Sequence, residues 1–157
     1  MRYLAKVFPD KAGKFIPADP VLAAKIDMVA NYEPHVYSFI AKSAYPSLGF
    51  PLYAGDVATM DSTKENVAEA AAAAGSELLN IYENKFVNIF LKDTKFLLSD
   101  ELTIADFRHA PVMLFAKIGC VLPARLEQYL KDVEAAAPGY AEAVAGTTGF
   151  ASPHWKK

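Results

Sequence analysis

The sequence predicts an all-α protein folded as one helical bundle. Three observations carry this expectation. Apolar residues recur at steps of three and four along most of the chain, and no stretch alternates convincingly as a strand would. Cap signals stand where these periodic stretches begin: Asp19-Pro20, Ser62-x-x-Glu65 and Thr103-x-x-Asp106. Of the 157 residues, 53% are hydrophobic, enough to fill the core of a single domain.

Tyr3, Leu4, Val7 and Phe8 form a short apolar face, so residues 1 to 8 read as the end of a helix stopped by Pro9. Residues 9 to 18, with Gly13 and Pro17, read as a loop. A long helix starts at Asp19-Pro20, where Asp19 can accept a backbone N–H and proline suits the first helical position. Val21, Leu22, Ile26, Val29, Val36, Phe39 and Ile40 supply its apolar side, and Pro34 inside it removes one hydrogen bond and should kink the helix there. Residues 44 to 59 read as an aromatic loop punctuated by proline and glycine, including Phe50 and Tyr53.

Ser62-x-x-Glu65 opens a second long helix, expected to run past Phe86 to Ile89. Its Ala70 to Ala74 run is explained by helix propensity and by close helix approach. Leu102-Thr103-x-x-Asp106-Phe107 predicts a doubly capped start: Thr103 and Asp106 exchange hydrogen bonds, and Leu102 packs on Phe107. The helix that follows, to about Ile118, is apolar nearly all round and belongs at the centre of the bundle. Gly119 ends it. A further helix begins at Pro123, Pro138-Gly139 breaks it, and a short helix spans Tyr140 to Ala145. The tail from Gly146 to Lys157 reads as extended. The expectation is therefore five to six helices.

Charge excludes some functions. The formal net charge is −2, and Lys and Arg are scattered, which does not suit a nucleic-acid groove. No apolar run approaches the roughly 18 residues that cross a bilayer, and no secretory signal is visible at the N-terminus. One cysteine, Cys120, cannot form an internal disulfide, and its apolar context predicts a buried, inert thiol. These features predict the cytoplasm or the soluble compartment of an organelle. Asp106 and His109 stand three apart on one helix, a spacing metals can use, but no second pair accompanies them, so no metal site is expected.

Phe96-Leu97-Leu98-Ser99-Asp100-Glu101-Leu102-Thr103-Ile104-Ala105-Asp106-Phe107 closely resembles the glutathione transferase segment F-L-x-G-D-x-L-T-I-A-D. Ser99 departs from the usual glycine, which predicts a slightly different turn before the helix. Arg2-Tyr3-Leu4-Ala5 resembles the end of the last helix of the family's thioredoxin-like half. Asp19-Pro20 and Ala24-Lys25-Ile26-Asp27 resemble the start of the first C-terminal helix, and Tyr82-Glu83-Asn84-Lys85-Phe86 is similar to the theta-like branch. The resemblance covers the whole chain in order. It implies a remnant of the last thioredoxin-domain helix plus linker over residues 1–18 and a helical C-terminal domain over 19–157.

The resemblance also implies that the elements holding glutathione, and the residue that activates its thiol, lie upstream of Met1. No catalytic residue and no cofactor-binding residue is therefore assigned, and glutathione is expected only where a thioredoxin-like domain is supplied. The C-terminal half would supply the wall that receives an apolar electrophile, with Tyr32, His35, Val36 and Phe39 as candidates. Asp106 is expected to be structural. Two functions follow as expectations: a non-catalytic module acting as a protein-interaction or structural subunit of a larger assembly, with a protein partner or a second copy, or, alternatively, the electrophile-binding half of a transferase that conjugates glutathione to hydrophobic electrophiles.

Overall fold

A computed structural model describes residues 2–48 and 65–156 of the chain. Among them are seven α-helices: α1 (Arg2–Val7), α2 (Pro9–Ala12), α3 (Pro20–Ala44), α4 (Glu65–Ile81), α5 (Ile104–Gly119), α6 (Ala124–Ala136) and α7 (Tyr140–Ala151). The last five form the bundle. The only extended pairing among the described residues is an isolated bridge between Phe96 and Ser99. Ser62, Phe50 and Tyr53, and with them the capping serine and residues 49–59 of the aromatic loop, lie outside the described residues; of the loop's first residues, Ala44 still belongs to α3 and Pro46–Leu48 form a 3-10 turn.

The helix starts follow local chemistry. Asp19 caps α3 by accepting from the backbone N–H of Val21 at 3.1 Å and of Leu22 at 3.3 Å. Pro34 sits inside α3 and the helix continues past it. Pro34 has no N–H to offer the Ala30 carbonyl. At the adjacent carbonyl, Val29 O, a side chain from α5 attaches instead: His109 Nε2 lies 2.8 Å away.

α5 is the central helix. It packs against α3, α4, α6 and α7, and its Ala105, Asp106, Ala110 and Ala116 are fully buried. Phe107 and Phe115 are half-buried and pack against the core. Three helices meet at one point of close approach. A Cβ on Gly75 of α4 would lie 2.6 Å from the Gly119 carbonyl oxygen, and one on Gly119 would lie 2.7 Å from Ser43 Cβ of α3. Only hydrogen fits at both glycines.

Four expectations need correction. Residues 9 to 18 are not a simple loop: Pro9 opens α2, and a 3-10 turn spans Gly13–Phe15. Proline cannot continue a helix through its missing N–H, yet it suits a first turn. Phe15 then anchors the segment, edge-on to Phe107 with ring centroids 4.9 Å apart. Second, α4 does not remain α-helical to Ile89: from Tyr82 to Phe90 the chain is a π-helix.

Third, α7 does not end at Ala145. It runs through Gly146 and Gly149 to Ala151, and a 3-10 turn follows over Ser152–His154. The weak helix propensity of two glycines is overridden by burial of Ala151 and by the packing of Phe150 on Phe115. Fourth, the tail does not run free. Trp155 Nε1 donates to Leu114 O at 2.9 Å, and Lys156 N–H donates to Lys117 O at 2.8 Å.

Candidate functional site

One face of α3 carries an aromatic strip at the margin of the core. Tyr32, His35 and Phe39 follow at steps of three and four, which is one face of a helix. The Tyr32 and His35 rings lie 5.0 Å apart, and His35 meets Phe39 edge-on at 5.4 Å. Tyr32 and Phe39 are half-buried and His35 is exposed. Val36, the fourth candidate, is placed elsewhere: its side chain is 1% exposed and belongs to the core.

The strip is backed by the π-helix. Phe86 and Phe90 each stand 6.5 Å from the Tyr32 ring, and Phe86 also stacks edge-on against Phe90 and His109. Sequence reasoning placed Phe86 on the buried side of a helix but did not pair it, or Phe90, with Tyr32. Their four-residue spacing was the available signal. The π register that aims them at α3 has no comparable signature.

At its Phe39 end the strip borders a groove of about 480 Å³ between α3 and α4. Phe39, Lys42 and Pro46 line one side, and Ala71, Ala74 and Glu77 line the other. Alanines on α4 leave that wall shallow. Burial and the nearby Glu77 carboxylate raise the Tyr32 phenol above its ordinary pKa, so it stays protonated at neutral pH. The strip can stack an apolar or aromatic group.

The two capping residues form a separate, buried constellation. Thr103 caps α5: its Oγ1 accepts from Ala105 N–H at 3.3 Å, and the reciprocal capping box with Asp106 is closed. Asp106 is 0% exposed and receives four donors. These are Thr103 N–H at 2.8 Å, Leu97 N–H at 3.0 Å, Tyr129 hydroxyl at 3.0 Å and Thr103 hydroxyl at 3.1 Å. Burial pushes its carboxyl pKa up, while the donors pull it down. The carboxylate thus ties together the α5 start, the preceding turn and α6. That turn holds Leu98 at φ 59°, a left-handed conformation a glycine would enter more easily. Ser99 Oγ, at the position that departs from the family pattern, accepts from Glu101 N–H at 3.0 Å.

His109 donates to Val29 O and so serves the packing of α5 on α3. Among the described residues no three His, Cys, Asp or Glu side chains converge as metal ligands. Cys120 is buried, and burial pushes its thiol up to about 11. No described helix is long and apolar enough to cross a membrane.

Comparison with known proteins agrees with this architecture. Residues 38–129 match the family described as glutathione S-transferase, C-terminal domain. That span contains Phe39, Thr103 and Asp106, while Tyr32, His35 and Val36 lie just before it. A glutathione S-transferase from Hyoscyamus muticus is 29% identical over 112 residues, covering 71% of this chain and 48% of that protein. The chain thus spans about half the length of this curated relative. Among solved structures, glutathione S-transferase unclassified 2 from Bombyx mori aligns with 99% of this chain and 67% of its own, with a TM-score of 0.61. Its 20% identity speaks to fold alone. With the family match covering more than half of its length, the chain belongs to the glutathione S-transferase C-terminal domain family.

Proposed function

We propose that this chain is the electrophile-binding half of a glutathione transferase, working beside a thioredoxin-like half that binds glutathione. The observation that carries the reading is the aromatic strip of Tyr32, His35 and Phe39 on α3, in which Tyr32 and Phe39 are half-buried and His35 is exposed, backed by Phe86 and Phe90. Such a surface suits an apolar, aromatic co-substrate. Residues 1–18 then represent the end of the other half plus a linker, and residues 19–157 the helical domain.

A thiolate at neutral pH needs a donor aimed at the sulfur or a lowered pKa, and neither is assigned to these residues. The chain alone is therefore expected not to turn over a chlorinated nitrobenzene with glutathione, nor to be retained on immobilised glutathione. Joined behind a thioredoxin-like glutathione-binding domain, it should support turnover. In that fusion Phe39→Ala and Tyr32→Ala should raise KM for the apolar substrate more than for glutathione. Heat-labile turnover by the chain alone, or an unmoved KM in both variants, overturns the reading.

One observation favours a second reading, a non-catalytic module that docks onto a protein partner or a second copy. α1 and the residue after it expose Tyr3 (74%), Leu4 (46%), Val7 (47%) and Phe8 (51%), and a six-residue helix is not stable alone in water. A thioredoxin-like half would cover the same face. Sedimentation of the chain separates the cases: a concentration-dependent dimer reduced by Phe8→Glu supports docking to a second copy. A monomer whose residues 2–7 are protected from hydrogen exchange removes the need for a partner.

A further inference from the structure

The chain leaves the α-helical path at Tyr82 and keeps the wider π register for nine residues, to Phe90. Helices of this kind are rare, are mostly single-turn interruptions and stand frequently at functional sites. Here the segment closes with a bond that spans five residues, from Leu91 N–H to Phe86 O at 2.8 Å.

The register decides which side chain faces inward. On an α-helix the residue seven places after Tyr82 returns to the same face, and that residue is Ile89. In the π turns Ile89 is instead 51% exposed, and Phe90 takes the inward place at 9%. Tyr82, Phe86 and Phe90 form a ladder of edge-on rings, 5.3 Å and 5.2 Å apart. Leaving a large aliphatic side chain in water forgoes its burial, so other contacts have to offset the choice. They are aromatic: Phe86 meets the rings of Tyr32 and His109, and Phe90 meets Tyr32.

Three rings then surround Tyr32. His35 lies 5.0 Å away and inclined at 39°, Phe86 lies 6.5 Å away at 35°, and Phe90 lies 6.5 Å away at 83°. Two neighbours are oblique to the Tyr32 plane, and Phe90 alone stands nearly perpendicular to it. Neighbours at such different inclinations oppose rotation of the ring and hold its plane. A side chain already held in one orientation loses less freedom when a ligand binds. A flat ring can stack on a fixed plane, while a puckered ring of the same size gains apolar contact alone.

We propose that Phe90 is a positioning residue for Tyr32: the π register seats it there in place of Ile89 and so fixes the Tyr32 plane against which a flat substrate ring stacks. The inference rests on the electrophile surface proposed above, and a Tyr32 variant separates the two. Equilibrium dialysis of the purified chain with nitrobenzene and with nitrocyclohexane, which share a polar group and differ in ring shape, reads the preference. The parent should bind nitrobenzene about threefold to tenfold more tightly. Phe90→Leu should bring the two within about twofold of each other and retain the nitrocyclohexane affinity, whereas Phe90→Tyr, which keeps a ring, should hold the preference. Ile89→Lys should change neither the preference nor the urea midpoint, because position 89 faces solvent in the π register. The Phe90→Tyr and Ile89→Lys measurements hold even where Phe90→Leu does not fold. A parent without the preference, its loss in Phe90→Tyr, or equal weakening of both ligands in Phe90→Leu overturns the positioning role. A strongly lowered midpoint in Ile89→Lys overturns the register. A preference abolished by Tyr32→Ala yet kept in Phe90→Leu overturns this inference alone, and one that survives Tyr32→Ala overturns the electrophile surface with it.

Discussion

His109 of α5 donates its Nε2–H to the backbone carbonyl of Val29, 2.8 Å away in α3 and next to the carbonyl that Pro34 leaves without its helical donor. The imidazole is 1% exposed and edge-on to Phe86 at 5.0 Å. It therefore connects the first bundle helix, the central helix and the aromatic support of Tyr32.

This placement makes stability depend on pH. Burial lowers the His109 pKa from its ordinary 6.5, against the bond to Val29 and the nearby Glu33 carboxylate, and with repulsion from Arg108. The unfolded chain then binds a proton that the folded chain refuses. The His109 contribution is present above about pH 6.5 and is lost as pH falls through the folded value. His109→Leu should be less stable than the parent at pH 7, and the gap should narrow below about pH 6.5. Urea unfolding at several pH values measures it, and a constant gap would contradict the assignment.

Asp106→Ala should be among the most damaging single changes. It removes a cap and strands the buried N–H groups of Leu97 and Thr103 and the Tyr129 hydroxyl. The expected loss is roughly 3–5 kcal/mol, summing a cap with incompletely rescued donors. Asp106→Asn carries a pH signature of the opposite sense to His109. With the carboxyl raised from its ordinary 3.8, the parent's advantage is fullest at low pH and declines as pH rises through the folded value. An unchanged unfolding midpoint in Asp106→Ala would remove the structural role.

Glycines in this chain should answer alanine in opposite ways. Gly75→Ala pushes a methyl group to 2.6 Å from the Gly119 carbonyl, so α4 must move off α5. Overpacking of this kind costs about 1–3 kcal/mol. Gly149→Ala on α7 meets nothing within 4 Å and should stabilise by about 0.4–1 kcal/mol. Thermal melts of the two variants should therefore shift in opposite directions.

Cys120 should resist thiol reagents in the folded protein. It is 6% exposed, and its thiol is pushed up to about 11, so little thiolate exists at neutral pH. Labelling by an aromatic disulfide should track unfolding and become complete in denaturant. A raised thiol pKa contributes stability below its ordinary 9.0 that is lost as pH rises toward 11. Cys120→Ala should flatten that part of the alkaline decline. Rapid labelling without denaturant would show an open site.

Local signals were legible because their chemistry is short-range. Asp19, Thr103 and Asp106 could be read as caps, since a side chain three or fewer residues away satisfies the first N–H groups of a helix. The all-round apolarity of residues 104–118 placed that helix at the centre. The helical fold class and the family resemblance followed from the same residues.

Tertiary structure decided what depends on partners distant in sequence. Tyr129 reaches Asp106 across 23 positions, His109 reaches Val29 across 80, and Trp155 reaches Leu114 across 41. Periodicity says which face of a helix is apolar, not which carbonyl an imidazole will find. It could not separate Val36, which the core takes, from Tyr32 and Phe39, which it leaves half-open, because all lie within two turns of α3. Nor could it foresee that α7 would continue through two glycines, since packing against α5 outweighs the weak helix propensity of those residues.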